Sequence, residues 1–462
     1  MFPLGFVIFP YLVKLILKKS YKDSIVLYFF YGFFYGFGFL VIYLLWIQNP
    51  FLVYEATSKY KFIAILLPIF ISIFFGLSFC IYKFLKSSLI KIFITPLIFI
   101  IIEFIIANFI YGFPWISISY TLSNNLIGLY LIKFLGTLTS SYLLLSIFIL
   151  PIFIFYKSKI NKFHKRLAFV YSPFVLFLLA QFFMSHFNTL KLSKEISLEI
   201  HQLLIPINKA DYQKIEDDII YKIKNSKADY VIFAENNFPY LINKNNISNL
   251  EKYKKNNTKI IIGASKFESN NYYNSFLMLE DEKVKHFDKK ILVPFGEFLP
   301  FRNYLSFMEL ISGTEDFRKG DQNRLIKTQD NFNILPVICY EVIFDHIYRN
   351  VNLNKIDIIF NITNDSWFGN KLGPYQHFYI ARTKSLIANK PLIRVSNNGI
   401  SAIIDNNGKI LKSTELNQTR TLNYRLKIME TKSYLFYHKI FSYYLFFVII
   451  FVLFLNRYFY NE

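Results

Sequence analysis

Long apolar stretches broken by short polar connections fill the first part of the chain, and the pattern changes near residue 190. Stretches near 24–47, 61–82, 90–112, 135–156 and 168–187 are predominantly apolar, and a last one lies near 436–456. Each approaches the roughly 20 residues that cross a bilayer core as a helix. Residues 3–18 are apolar but short and interrupted by Lys14, and predict a marginal span. No basic residues precede that run and no small-x-small site follows it, so it does not read as a cleaved signal peptide.

Between 192 and 430 the period shortens. β-Branched or aromatic runs bounded by Asn, Gly, Pro and Lys predict strands at 196–205, 229–235, 259–265, 274–280, 334–340, 357–363 and 391–396. Ile215, Ile219 and Ile223 recur at helical spacing within 211–225, and 375–389 also reads as a helix. Asn397-Asn398-Gly399 and Asn406-Asn407-Gly408 flank a short strand at 400–405, with both glycines expected at positive φ. Strands alternating with helices predict a layered α/β domain. The expected organisation is a helical membrane bundle at 1–190 with about six spans. An outer α/β domain at 191–432 and a C-terminal membrane helix at 433–462 follow.

Composition supports that division and excludes others. With 54% apolar residues and 20% aromatics, the chain falls outside the soluble class. A net charge of +21 would suit a nucleic-acid partner, but the basic residues form no nucleic-acid-binding motif. They gather in the odd connections: Lys14, Lys18, Lys19 and Lys22; Lys83, Lys86 and Lys91; Lys157, Lys159, Lys162, Lys165 and Arg166. By the positive-inside rule those connections are cytoplasmic, and the α/β segment lies on the outer side. Cys80 falls in a predicted span and Cys339 in the α/β segment, so no disulfide framework is expected. The seven histidines show no metal-ligand spacing.

Three chemistry-bearing groups end apolar runs in the α/β segment. Cys339 follows 334–338, where a thiol at a strand's end projects into a pocket and the Tyr340 N–H faces a developing oxyanion. Glu235 follows 230–234, where partial burial raises a carboxylate toward a useful general base. Lys289 and Lys290 are adjacent, and composition does not choose between them; an ammonium there would activate the thiol. Glu341, two residues beyond the thiol, is placed to orient the base or the lysine. Singly, each has an ordinary explanation: a buried strand cysteine, a turn-capping acid, a solvated lysine pair, a surface acid. Together, a carboxylate, an amine and a thiol suit acyl transfer through a thioester.

Longer motifs carry a family resemblance. Lys289, Leu292, Val293, Pro294, Phe295, Gly296 and Glu297 form one block, followed by Phe298, Leu299 and Pro300. Tyr273-Asn274-Ser275, Ile338-Cys339-Tyr340-Glu341 and Thr363-Asn364-Asp365-Ser366-Trp367-Phe368-Gly369 add to it. So do Gly373-Pro374-Tyr375-Gln376-His377, Ala381-Arg382 and Arg394-Val395-Ser396-Asn397-Asn398-Gly399, with Gly112-Phe113-Pro114-Trp115 and Tyr120 in the membrane part. The chain resembles bacterial apolipoprotein N-acyltransferases, integral membrane members of the nitrilase superfamily. The register of the lysine block selects Lys289 over Lys290. The resemblance implies an αββα nitrilase-like sandwich on the periplasmic side of a bacterial inner membrane. It further implies Cys339 as nucleophile, Glu235 as general base, Lys289 as oxyanion stabiliser and Glu297 and Glu341 as supporting acids. A phospholipid acyl donor, a diacylglyceryl-cysteine apolipoprotein acceptor, a monomeric chain and no metal or organic cofactor complete the expectation. The chain departs from the family in having Ala234 where proline commonly precedes the base, and in having one fewer countable N-terminal span.

Phe301, Tyr304, Leu305, Phe307, Met308, Leu310 and Ile311 follow the lysine block and read either as a lid that shields an acyl chain or as a core-packed helix. Trp367 is a further substrate-contact candidate. Two other functions compete. A membrane-tethered amidase would share the triad and resolve the thioester with water or ammonia. A transporter with an accessory outer domain would use intramembrane ionisable groups, of which Glu103 is the one interior acid, alternatively a helix–helix contact.

Overall fold

The computed structural model describes residues 2–458 except 18–23, 86–87, 155–159, 188–190, 209, 243–246, 248–249, 256 and 282. Lys18, Lys19, Lys22, Lys86, Lys157 and Lys159, invoked above for orientation, lie outside the described residues. The chain forms two compact units. One comprises Met1–Tyr43, Ile65–Thr189 and Tyr434–Glu462, the other Leu44–Ala64 and Leu190–Ser433.

Four helices among the described residues are long and apolar enough to cross a membrane: Ile25–Tyr43, Lys61–Phe84, Ile90–Asn108 and Leu126–Ile152. Val170–Met184 and Leu435–Phe451 are shorter apolar helices, and Phe2–Leu17 is also helical. The helix expected at 135–156 starts earlier, at Leu126, and breaks at Gly136, whose φ of 79° no ordinary helical residue adopts. Glu103 is buried and accepts from the Ile118 N–H at 2.9 Å, Ser117 Oγ at 2.9 Å and Ser141 Oγ at 3.0 Å. Three donors satisfy its carboxylate, which makes it a polar tie within the bundle.

The second unit is a sandwich of two six-stranded sheets. In the first sheet β1 (Leu192–Gln202), β2 (Tyr230–Ile232) and β3 (Lys259–Glu268) run parallel. β4 (Asn271–Glu280) and β5 (Lys283–Asp288) continue from β3 as antiparallel neighbours. The second sheet centres on parallel β7 (Asn333–Ile338), β8 (Ile358–Thr363) and β9 (Leu392–Ser396). β6 (Ile326–Lys327), β10 (Ala402–Ile404) and β11 (Ile410–Ser413) extend it, and β12 (Arg420–Met429) closes the outer edge of the first sheet against β1.

Both faces of the central strands are buried, which is why their sequences read as unbroken apolar runs. Tyr230, Ile232 and Ile261 point between the sheets, toward Ile338, Phe360 and Val395. Val231, Phe233, Ile260 and Ile262 point the other way, onto Ile219 and Ile223 of α1 (Tyr212–Asn225). Asp211 caps α1 by accepting from the Lys214 N–H. The second helix, α2 (Leu372–Ala388), is buried along most of its length and lies beside β9.

Four strands escaped the sequence reading, and each is short or polar. β12 buries Leu422, Leu426 and Ile428 while exposing Arg420, Asn423 and Lys427, the alternation of a half-covered edge. The strand expected at 400–405 is confined to Ala402–Ile404. Gly408 has the expected positive φ, 74°, but Gly399 does not. Glycine is needed at 399 for space, because a Cβ there would sit 2.0 Å from Asp365 Oδ2.

Residues 44–64 connect two apolar helices in sequence yet belong to the sandwich unit. Phe51 shares a buried cluster with Leu299 and Met308, flanked by Tyr60, Ile63, Leu305, Phe307 and Ile311. Asn208 Nδ2 donates to the Val53 carbonyl at 2.8 Å.

Candidate active site

The carboxyl ends of parallel strands in α/β sheets are where ligands bind, and two of the three expected groups follow such ends. β7 stops at Ile338 and Cys339 turns sharply, with φ at 47° in the left-handed region. A non-glycine residue held there is a strained elbow that lifts its side chain out of the sheet. Glu235 follows β2, and Lys289 follows β5 on the same sheet.

The structure brings these groups together with Glu297. Lys289 Nζ lies 2.9 Å from Glu297 Oε1 and 3.4 Å from Glu235 Oε1. Asn274 Nδ2 bridges the same two oxygens, at 2.8 and 2.7 Å. The Asn364 N–H holds Glu235 Oε2 at 2.8 Å, and the Val293 N–H holds Glu297 Oε2 at 2.9 Å. Cys339 is buried beside these groups, and the Glu235 and Lys289 charges both act on its thiol.

Electrostatics follow from this burial. Glu235 is pushed above the usual carboxylate range, chiefly by desolvation and partly by Glu297, with Lys289 opposing. Burial also pushes the Cys339 thiol up, with Glu235 adding to the rise and Lys289 opposing it. Desolvation alone would lower Lys289, but Glu297 and Glu235 outweigh it and keep the ammonium charged. The site thus places a thiol whose ionisation burial opposes and a carboxylate raised above its usual range beside the Lys289 ammonium. A proton moved from sulfur to Glu235 leaves the thiolate next to Lys289.

Glu341 has a different task from the one its position suggested. It accepts from Arg324 through both oxygens, at 2.7 and 2.8 Å, and from the N–H groups of Ile338, Lys290 and Ile291 at 3.0, 2.8 and 3.1 Å. Burial works against its charge, yet Arg324 and the backbone donors hold its pKa below the usual carboxylate range. It ties the elbow to the backbone beside Lys289. Tyr340 has its ring buried edge-on against Phe344, 5.1 Å away.

The remaining candidates separate. Phe301 and Tyr304 are exposed, at 80% and 85%. Met308 is buried and Phe307 half-buried, both packed in the cluster with Phe51. Trp367 is half-buried in the turn Asp365–Phe368. Among the described residues no group of three or more His, Cys, Asp or Glu side chains is arranged to hold a metal ion.

Several contributors were not singled out from sequence. Behind the elbow, Asp365 accepts from Thr363 Oγ1 at 3.0 Å, His377 Nδ1 at 2.8 Å and Arg394 at 2.7 Å. Burial opposes its charge, but Arg394 and His377 hold Asp365 well below the usual carboxylate range. Asn274, Thr363, Asn364, Asp365, His377 and Arg394 all fall within the quoted motifs, which was the available signal.

A two-sheet α/β sandwich with a thiol, an ammonium and a carboxylate at its strand ends defines a carbon–nitrogen hydrolase domain, and the carbon-nitrogen hydrolase family model matches residues 210–434. Residues 1–150 match a second model, the apolipoprotein N-acyltransferase N-terminal domain. With both matches in order, the chain belongs to the apolipoprotein N-acyltransferase family of the nitrilase superfamily. The apolipoprotein N-acyltransferase of Rickettsia prowazekii is 44% identical over 138 residues, 30% of this chain and 28% of the relative. That of Wigglesworthia glossinidia brevipalpis is 35% identical over 68% of this chain and 65% of its own length. That of Rickettsia typhi is 29% identical over 84% and 81%. The chain thus spans less than two thirds of the first two relatives it matches.

Proposed function

We propose that this chain transfers a fatty acyl group from a phospholipid, through a thioester on Cys339, to the N-terminal amine of a diacylglyceryl-cysteine apolipoprotein. The observation that carries this reading is the buried Glu235–Lys289–Cys339 set, in a chain whose two halves match the two parts of one acyltransferase family.

Glu235 takes the Cys339 proton as sulfur attacks the ester carbonyl carbon. The carbonyl oxygen becomes an oxyanion facing the Lys289 ammonium and the Tyr340 N–H. Collapse breaks the ester C–O bond, and the departing lysophospholipid oxygen recovers the proton from Glu235. The acceptor amine then attacks the thioester, gives its proton to Glu235, and displaces the Cys339 sulfur, which is reprotonated. Both substrates exchange at one site, so the order is ping-pong. No step calls for a metal or organic cofactor, and all groups belong to one copy of the chain, as a monomer requires.

Glu297 and Glu341 support the site, the first by fixing Lys289 and the second by fixing the elbow. Phe301 and Tyr304 are the lid groups free to meet an acyl chain, with Phe307 and Met308 as their anchors, and Trp367 lies within the base-holding turn. The apolar helices and the basic odd connections favour a multi-pass protein of the bacterial inner membrane with the sandwich on the periplasmic side. Purified chain given phospholipid and a synthetic diacylated lipopeptide should yield the N-acylated peptide. Release of free fatty acid with no peptide acylation would instead indicate a hydrolase.

A further inference from the structure

Within the sandwich unit, residues 44–64 grip one turn from outside. Trp46 Nε1 donates to Gln376 Oε1 at 2.9 Å, and its ring meets Phe368 edge-on at 4.9 Å. Asn49 Nδ2 donates to the Phe368 carbonyl at 2.8 Å. Gly369 is shaped to this contact: its φ is 74°, and a Cβ there would lie 2.3 Å from Asn49 Nδ2. The Phe368 ring continues inward, edge-on to His377 at 5.1 Å.

The same turn reaches the reacting groups at its other end. Its cap residue, Asn364, gives its N–H to Glu235 at 2.8 Å, and Asp365 accepts from the Thr363 hydroxyl at 3.0 Å. Inside the turn, Asn364 Oδ1 accepts from the Ser366 N–H at 3.2 Å, so it transmits position as a small closed unit.

We infer that residues 44–64 are a positioning strap for the catalytic base: Trp46 and Asn49 clamp the turn 364–369 so that the Asn364 N–H aims Glu235 at the Cys339 thiol. The connection between two apolar helices thereby sets thiol activation, although it supplies no reacting atom. This rests on the triad reading above and not on the identity of the acyl donor.

The test is the pH dependence of Cys339 alkylation by iodoacetamide in the full chain, followed on the Cys339 peptide by mass spectrometry so that Cys80 does not contribute. Asn49→Ala removes one clamp, and Trp46→Phe keeps an aromatic ring while deleting the N–H donor. Each should slow alkylation at neutral pH by about tenfold, the scale on which small misplacements cost rate. Each should also move the acid limb upward, because Glu235 with a weakened Asn364 N–H bond ionises less readily. Asn208→Ala cuts the strap's bond at Val53, away from the turn, and should keep the wild-type profile. A lowered melting temperature with unchanged rate and limb in both clamp variants would reduce the strap to an anchor and overturn the inference. An equal loss in Asn208→Ala would overturn it too. Failure of the underlying triad is separate: wild-type alkylation would then be unaffected by Glu235→Gln.

Discussion

Lys289 bridges the buried Glu235 and the partly buried Glu297, and in the proposed mechanism the site's reactivity turns on it. Lys289→Met should slow thioester formation by about 100-fold or more, the cost of losing a preorganised oxyanion partner. Single-turnover acyl-adduct formation measures this. Because burial raises Glu235, the acid limb of that rate should lie above the ordinary carboxylate range, since a protonated Glu235 cannot take the thiol proton. Glu341 and Asp365 have the opposite sign. Their pKa values are depressed in the fold, so the stability they supply is present above their unfolded values and is lost as pH falls through the folded ones. Acid unfolding of the sandwich should accordingly develop below about pH 4. Glu341→Gln strands Arg324 in a buried site and should cost about 3–5 kcal/mol in denaturant unfolding. Glu235 and Cys339 stood out in sequence because charge or thiol at the end of an apolar run is unusual, whereas Lys289 over Lys290, and Glu297, were marked by the family motif alone. Asn274 and Asn364 did not, since amides at strand ends look like turn residues. Nor did the role of Glu341, whose Arg324 partner is brought to it by the antiparallel β6–β7 pair.

At the level of elements, apolar continuity marked the central strands, while β5, β6, β11 and β12 were hidden because edges carry polar residues. The stretch after the lysine block divides more finely than its composition. Met308 and Phe307 face Phe51 and Leu299, so they hold the segment down, whereas Phe301, Tyr304 and Leu310 face outward. Making this anchor polar should disturb the fold: Met308→Ser should cost about 2–4 kcal/mol through lost burial and a cavity. Phe301→Ser and Tyr304→Ser should stay within about 0.5 kcal/mol in the same melting experiment. If these exposed rings cover an acyl chain, the same two variants lower turnover on long-chain phospholipid while leaving Cys339 alkylation unchanged.

Across the whole molecule, composition divides the chain near residue 190, but compactness divides it differently, taking 44–64 into the sandwich and 434–462 into the helical unit. No hydropathy pattern could assign 44–64, because Trp46, Phe51, Tyr60 and Ile63 are apolar enough to belong to either. Their placement follows from specific partners: Gln376 and Phe368 for Trp46, Leu299 and Met308 for Phe51. The central claim is that Cys339 carries an acyl group between two lipid substrates. Intact-protein mass spectrometry of the wild-type chain and of Cys339→Ala after incubation with phospholipid tests it most directly. The account predicts a fatty-acyl mass on the wild type that hydroxylamine releases, a diacylated lipopeptide discharges, and the variant lacks. An unmodified wild-type mass with every phospholipid tried, or an adduct that persists in Cys339→Ala, would contradict it.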